Sequence, residues 1–260
     1  MRGRVAPAGQ PAIARVRGPG GGDSRARRAL TELAAGSTKL DGVARVRAIA
    51  VWSALIVLIL IALVSVGNRI SIDWPNVAAG TVQTEDPFDS RYALHPVLAY
   101  AHILPGLIYL VGAPLQLSRR FRARRIALHR RMGRVVLPAG VTAGIFAIVF
   151  GTLFPFGGVL EASSTVVFGA YFVAALVTAF IAITGGDVTR HRRWMIRAFA
   201  IGLAIGTIRI WIGLFQGFGA LSLEDTFGVA FWLGFVLHAL AAEAYLAKRP
   251  QGQRRSTLAA

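Results

Sequence analysis

Arg209 is the residue whose position asks most of chemistry. It stands inside the apolar run IGLAIGTIRIWIGLFQGF, roughly 12 Å from the run's end at about 1.5 Å per helical residue. A charge that deep in a hydrocarbon layer is costly enough to mark a functional position. His102 occupies a similar depth in an earlier apolar run, and His238 the middle of a later one. The three are expected to meet in the outer half of a helix bundle. Neutral imidazoles on facing helices ligate a haem iron from both sides, and an arginine at the haem edge neutralises a propionate. His129 and His191 make a second candidate pair at the opposite ends of two other runs. Two stacked b-type haems would carry electrons across a membrane, to or from a quinone or another redox partner.

Two other readings compete. In the first, His102 and His238 only bond to hydroxyls or carbonyls between helices, and Arg209 snorkels outward or pairs with Glu161, Glu224 or Asp225. The protein is then structural, without a cofactor. In the second, the same cluster lines a path for an ion or a small solute, with Gln216, one heptad beyond Arg209, extending its face. Hydrolytic chemistry lacks its signatures: neither a Gly-x-Ser-x-Gly elbow nor a His-Glu-x-x-His pair occurs. The chain has no cysteine, so thiol chemistry and cysteine-ligated metals are absent. No metal other than haem iron is expected.

These residues must be positioned by membrane-length helices. Residues 94–117 carry no charged side chain and are long enough to cross a hydrocarbon core of roughly 30 Å. Within them His95, His102, Tyr109 and Gln116 recur every seven residues, which places all four on one face. Such a stripe is expected to face other helices or a cavity, because unpartnered polar groups in hydrocarbon cost several kcal/mol. Hydrophobic residues make up 55% of the 260-residue chain and charged ones 16%, against about a quarter charged in soluble domains. The pattern predicts an all-α, polytopic transmembrane helix bundle of about six spans, at 48–66, 94–117, 135–154, 163–184, 198–217 and 227–246.

The charges orient it. Ten basic residues precede residue 48, eight arginines fall in 118–134, four in 185–197, and Lys248, Arg249, Arg254 and Arg255 close the chain. The alternate connections hold Asp73, Glu85, Asp86, Asp89, Glu161, Glu224 and Asp225 against only Arg69 and Arg91. The positive-inside effect therefore puts both termini in the cytoplasm. The organisation expected is a disordered basic arm over 1–47, a transmembrane domain over 48–247 and a basic tail over 248–260. An uncleaved first helix is expected rather than a signal peptide, since the first apolar run begins far from the start and is too long for an h-region. The net charge of +17 sits between apolar runs rather than on a nucleic-acid module, so no nucleic acid is expected as partner. Residues 67–93 show no helical period and are expected to form a partly ordered cap.

A His-Arg-Arg step opens both the third and the fifth span, at His129-Arg130-Arg131 and His191-Arg192-Arg193. Spans two and three thus echo spans four and five. Arg130, Arg131, Arg192 and Arg193 are candidates for contact with lipid headgroups or another phosphate. Gly140 and Gly144, Gly202 and Gly206, and Gly213 and Gly217 are spaced for close helix packing.

Several of these motifs resemble a known family. They are His102-x-x-x-Gly106, Gly112-Ala113-Pro114-Leu115-Gln116, Leu128-His129-Arg130-Arg131-Met132-Gly133-Arg134, Gly186-Asp187-Val188-x-Arg190-His191-Arg192-Arg193-Trp194-Met195-Ile196-Arg197, and Arg209-Ile210-Trp211. Together they resemble the bacterial membrane-protein family called domain of unknown function 2306, over about residues 92 to 217. The resemblance implies a multi-pass protein of a bacterial cytoplasmic membrane, and it supplies no catalytic residues.

Overall fold

A computed structural model describes residues 23–80, 86–219 and 221–248, all in helices and the short turns between them. The elements are α1 (Asp23–Ala79), α2 (Pro87–Leu94), α3 (Pro96–Leu117), α4 (Arg119–Arg124), α5 (Ile126–Leu153), α6 (Gly158–Thr184), α7 (Val188–Gly217) and α8 (Leu223–Ala247). Six of them are long and apolar enough to cross a membrane. The chain divides into two compact units, 1–53 and 54–260, with the division inside α1.

In the first unit, residues 23–53 are helical. The sequence predicts disorder as far as residue 47, yet the helix is already formed at Asp23. Ala, Leu and Arg dominate that stretch and no proline interrupts it, so local propensity favours helix despite the charge. The part of the arm before Asp23 and the tail beyond Lys248 lie outside the described residues.

In the second unit the spans alternate in direction. α3 packs on α5, α5 on α6, α6 on α7, and α8 on both α6 and α7. The second-unit part of α1 lies against α7, where Gly206 permits backbone contact: a Cβ there would collide with the Leu58 carbonyl. Gly140 and Gly202 make room in the same way for the two edges of the Tyr109 ring. Gly213 and Gly217 differ from that pattern, because a Cβ at either would meet open space. The interior is small and tightly filled, with Ala175, Leu176, Ala179, Ala198 and Ala204 wholly buried. Val64, Leu104, Val111, Ile181 and Leu240 point outward as lipid-facing side chains.

One end of the bundle carries α2, the other α4. The expected cap over 67–93 is largely helix. α1 continues through Pro75 to Ala79, and α2 begins at Pro87. Charge in that stretch conceals the helix from a hydropathy reading, but Arg69 and Asp73 pair one turn apart. Asp86 caps α2, accepting from the Phe88 and Asp89 N–H groups at 2.7 and 3.2 Å. At the other end Ser118 caps α4, accepting from the Phe121 N–H at 3.3 Å. α5 starts at Ile126, nine residues before the apolar run expected from 135, so His129 to Arg134 are helical rather than loop.

Candidate functional site

The bundle holds a mostly apolar, partly open cavity of about 250 Å³, lined by all six spans and by α2. His102 and Tyr109 of α3 contribute to its wall. The heptad stripe therefore faces inward, as expected. His95 stacks on Phe154 with ring centroids 3.7 Å apart. Tyr109 and Gln116 are buried, each with a side-chain atom that has no partner: the Tyr109 hydroxyl and the Gln116 Nε2. Beyond Tyr109, toward α4, the space is filled by Ala113, Val136, Leu176, Ala179 and Ala198.

At the α2 end the wall turns polar. Arg69 projects from α1 and donates through Nη1 to Asp89 Oδ1 at 2.5 Å and through Nη2 to Asp73. Asp73, 1% exposed, also accepts from the Tyr100 hydroxyl at 3.2 Å. Arg91, from α2, donates to the Phe154 carbonyl at 3.0 Å and to Glu161 Oε1 at 3.4 Å. Glu161 Oε2 accepts from the Gly157 N–H at 2.6 Å. Both guanidiniums rest on aromatic faces: Arg69 lies 4.5 Å from the Tyr92 ring centre, and Arg91 lies 4.6 Å from that of Phe88. Two cations and three carboxylates are thus locked together by charge-assisted bonds.

Arg209 reaches the same cavity and is held differently. Its Nε is buried without a hydrogen-bond partner, as are those of Arg69 and Arg91, but no carboxylate among the described residues pairs with its guanidinium. None of the carboxylates proposed for it from the sequence forms an ion pair with it. Glu161 is engaged by Arg91 and the Gly157 N–H, and Asp225 accepts from the Ser222 hydroxyl at 2.8 Å. Among the described residues it is the cavity-lining arginine without an ion pair.

The histidines part company. His102 donates from Nδ1 to the Ala143 carbonyl at 2.9 Å, which leaves Nε2 of the neutral ring as an acceptor. His238 is not among the cavity-lining residues. Its Nε2 is bonded to the Thr207 hydroxyl at 2.7 Å. The structure therefore brings His102 and Arg209 to one cavity and keeps His238 off its wall. His191 donates to the Ala179 carbonyl at 2.9 Å, whereas the buried Nδ1 of its repeat counterpart His129 has no partner. Gln216, expected on the Arg209 face, bonds Thr226 at 2.8 Å and ties α7 to α8.

Sequence reasoning passes over Arg69, Arg91 and Asp73 as loop charges. Their signal was the isolation of Arg69 and Arg91 as the two basic residues among the acidic connections, with Asp73 four residues after the first.

Six apolar spans around a partly polar cavity define a polytopic α-helical membrane protein, with a lipid bilayer as its surroundings. The family model DUF2306, described as a predicted membrane protein, matches residues 99–246. The chain belongs to that family. The match reaches through α8, further than the resemblance read from the motifs, and it leaves α1 and α2 outside. No match was found among curated proteins or among solved structures.

Proposed function

We propose that the protein binds a small organic anion with an apolar body in this intramembrane cavity, the anionic group resting on Arg209. The observation that carries the reading is the contrast among three arginines of one cavity: Arg69 and Arg91 are neutralised by carboxylates, and Arg209 is not. A part-buried guanidinium without a counter-charge is costly, and a carboxylate or phosphate on a ligand would supply two-point hydrogen bonding. Apolar walls, including Phe172, Phe231 and Phe235, suit a hydrocarbon or aromatic body. His102 Nε2 and the Tyr109 hydroxyl would meet polar atoms deeper in.

The volume favours a ligand smaller than the drug-sized molecules that fill roughly 300–1,000 Å³. This reading takes the place of haem binding with electron transfer to a quinone, which wants a larger space and His238 on its wall. It also stands ahead of solute passage, because the core beyond Tyr109 is packed. By the positive-inside effect, the α2 end faces outward and the arginine-rich α4 end faces the cytoplasm of a bacterial inner membrane.

Native mass spectrometry of the full chain in neutral detergent tests the reading with octanoate, octanol and octylammonium as probes. The expected result is retention of octanoate alone, one per chain. Equal retention of octanol, or retention of octylammonium, would overturn it.

A further inference from the structure

The α4 end holds a second set of polar groups that the cavity does not use. Gln116 closes the last turn of α3, 6% exposed, with its Nε2 donor unpartnered. Arg122 crosses back from α4 to donate to the Gln116 carbonyl at 2.8 Å, a bond that uses one N–H of a five-donor fork. His129, on the second turn of α5, has a buried Nδ1 without a partner. In the echoed position His191 spends that nitrogen on the Ala179 carbonyl, so the free atom is particular to the α5 copy. Arg122 lies within electrostatic reach of Arg192 and of His129, and His129 within reach of His191 and Arg130. Burial first, and then Arg192 and Arg119, push the Arg122 guanidinium below its ordinary value. The carboxylates described at this end are engaged elsewhere. Asp187 caps α7 by accepting from the Arg190 N–H at 2.8 Å, and Glu243 holds Arg197 through two bonds of 2.6 and 2.9 Å.

Like charges gathered around unpartnered donors, with no carboxylate ion-paired to Arg122 or Arg192 among the described residues, describe a site for a multiply charged acceptor. We infer that Arg122 and Arg192, with the Gln116 amide and the His129 ring, cradle a phosphate group at the α4 end. Arginine forks match phosphate oxygens in pairs, and Gln116 and His129 add neutral donors. Arg122 on α4 lies outside the candidate spans, and Gln116, His129 and Arg192 stand near the ends of α3, α5 and α7, which puts the cradle at the edge of the membrane-spanning region, where lipid headgroups lie. A phosphomonoester or phosphodiester of a lipid fits this chemistry, as does free phosphate. Arg130 and Arg131 are exposed on α5, and although Arg130 lies within reach of His129, the cradle is assigned to the less exposed Arg122 and Arg192.

Thermal unfolding of the full chain in neutral detergent tests the site with three probes: inorganic phosphate, dioctanoyl phosphatidic acid and dioctanoyl phosphatidylcholine. Stabilisation by inorganic phosphate at millimolar concentration assigns a free phosphate. Stabilisation by phosphatidic acid without an effect of phosphate assigns a lipid headgroup. In either case the half-saturating concentration should rise at least tenfold in Arg122→Gln/Arg192→Gln and less than twofold in Arg130→Gln/Arg131→Gln. Arg209→Gln should leave it unchanged, which separates this site from the cavity. Should the double variant fail to fold, Gln116→Leu gives the same test, since losing one donor weakens binding without creating a cavity. The proposal is overturned if neither phosphate nor phosphatidic acid stabilises the protein, if phosphatidylcholine does so equally, or if the Arg130/Arg131 pair matters as much as Arg122 and Arg192.

Discussion

The two ends of the bundle use the same residue for opposite purposes. At the α2 end, Arg69 and Arg91 are enclosed, stacked on aromatic rings and matched by Asp73, Asp89 and Glu161. At the α4 end, the arginines from Arg119 to Arg134 have no acidic residue among them, and most stand exposed. Dense arginine without acid is an address, read by the membrane's charge asymmetry. Sparse arginine with acid is architecture, because a buried charge persists only beside its partner. Arg209 fits neither class: it shares the cavity of the first group and the unpaired state of the second. That mismatch is why the cavity reads as a binding site.

Substitutions can break this contrast. The largest effect is expected at Arg91. Arg91→Leu leaves Glu161, 3% exposed, without its cation and should destabilise the fold by about 3–5 kcal/mol. The loss should be largely restored in Arg91→Leu/Glu161→Leu, as read from unfolding in detergent. If the single variant unfolds like the wild type, the α2-end network is not architectural. Next comes Gly206→Val, which forces α1 away from α7 at a backbone contact. Overpacking of this kind costs about 1–3 kcal/mol, whereas Gly213→Val, facing open space, should be close to neutral. Arg209→Leu removes an unpaired charge and should unfold at the wild-type temperature or above it. A marked loss of stability would mean that Arg209 is a structural cation after all.

Smaller effects sharpen the other side. Tyr109→Phe deletes a buried hydroxyl without a partner, so its stability should stay within about 1 kcal/mol of wild type, the net worth of an ordinary hydrogen bond. Arg124→Gln/Arg125→Gln, both exposed, should shift stability by less than about 0.5 kcal/mol. Yet neutralising most of the α4 arginines together should mix the orientation of the inserted chain, as measured by labelling single cysteines placed in α2 and α4. An unmixed orientation would deny the α4 end its addressing role.

Most of the architecture could be read from the chain itself. Long uncharged runs dictate spans, and the seven-residue spacing of His102, Tyr109 and Gln116 announces an inward face. The failures have physical causes. Hydropathy counts charge as a stop signal, so it ends the first span before Arg69 and cannot see that Asp73 and Asp89 neutralise that arginine. Depth along a helix says how far His238 lies from a membrane face, but not which way it points around the helix axis. Its partner Thr207 lies on α7 and is not part of the cavity wall. His129 looks like loop because arginines surround it, although Ile126 has already started the helix. For Arg69 with Asp89 and for His238 with Thr207, the missing information was a contact between distant segments.

The most direct measurement of the central claim is equilibrium binding of radiolabelled octanoate to the immobilised full chain in neutral detergent, comparing wild type with Arg209→Gln and Arg209→Lys. The account predicts saturable binding to the wild type, weakened at least tenfold by glutamine and less by lysine, which keeps the charge but loses the fork. Octanoate binding of equal strength in all three proteins would contradict it.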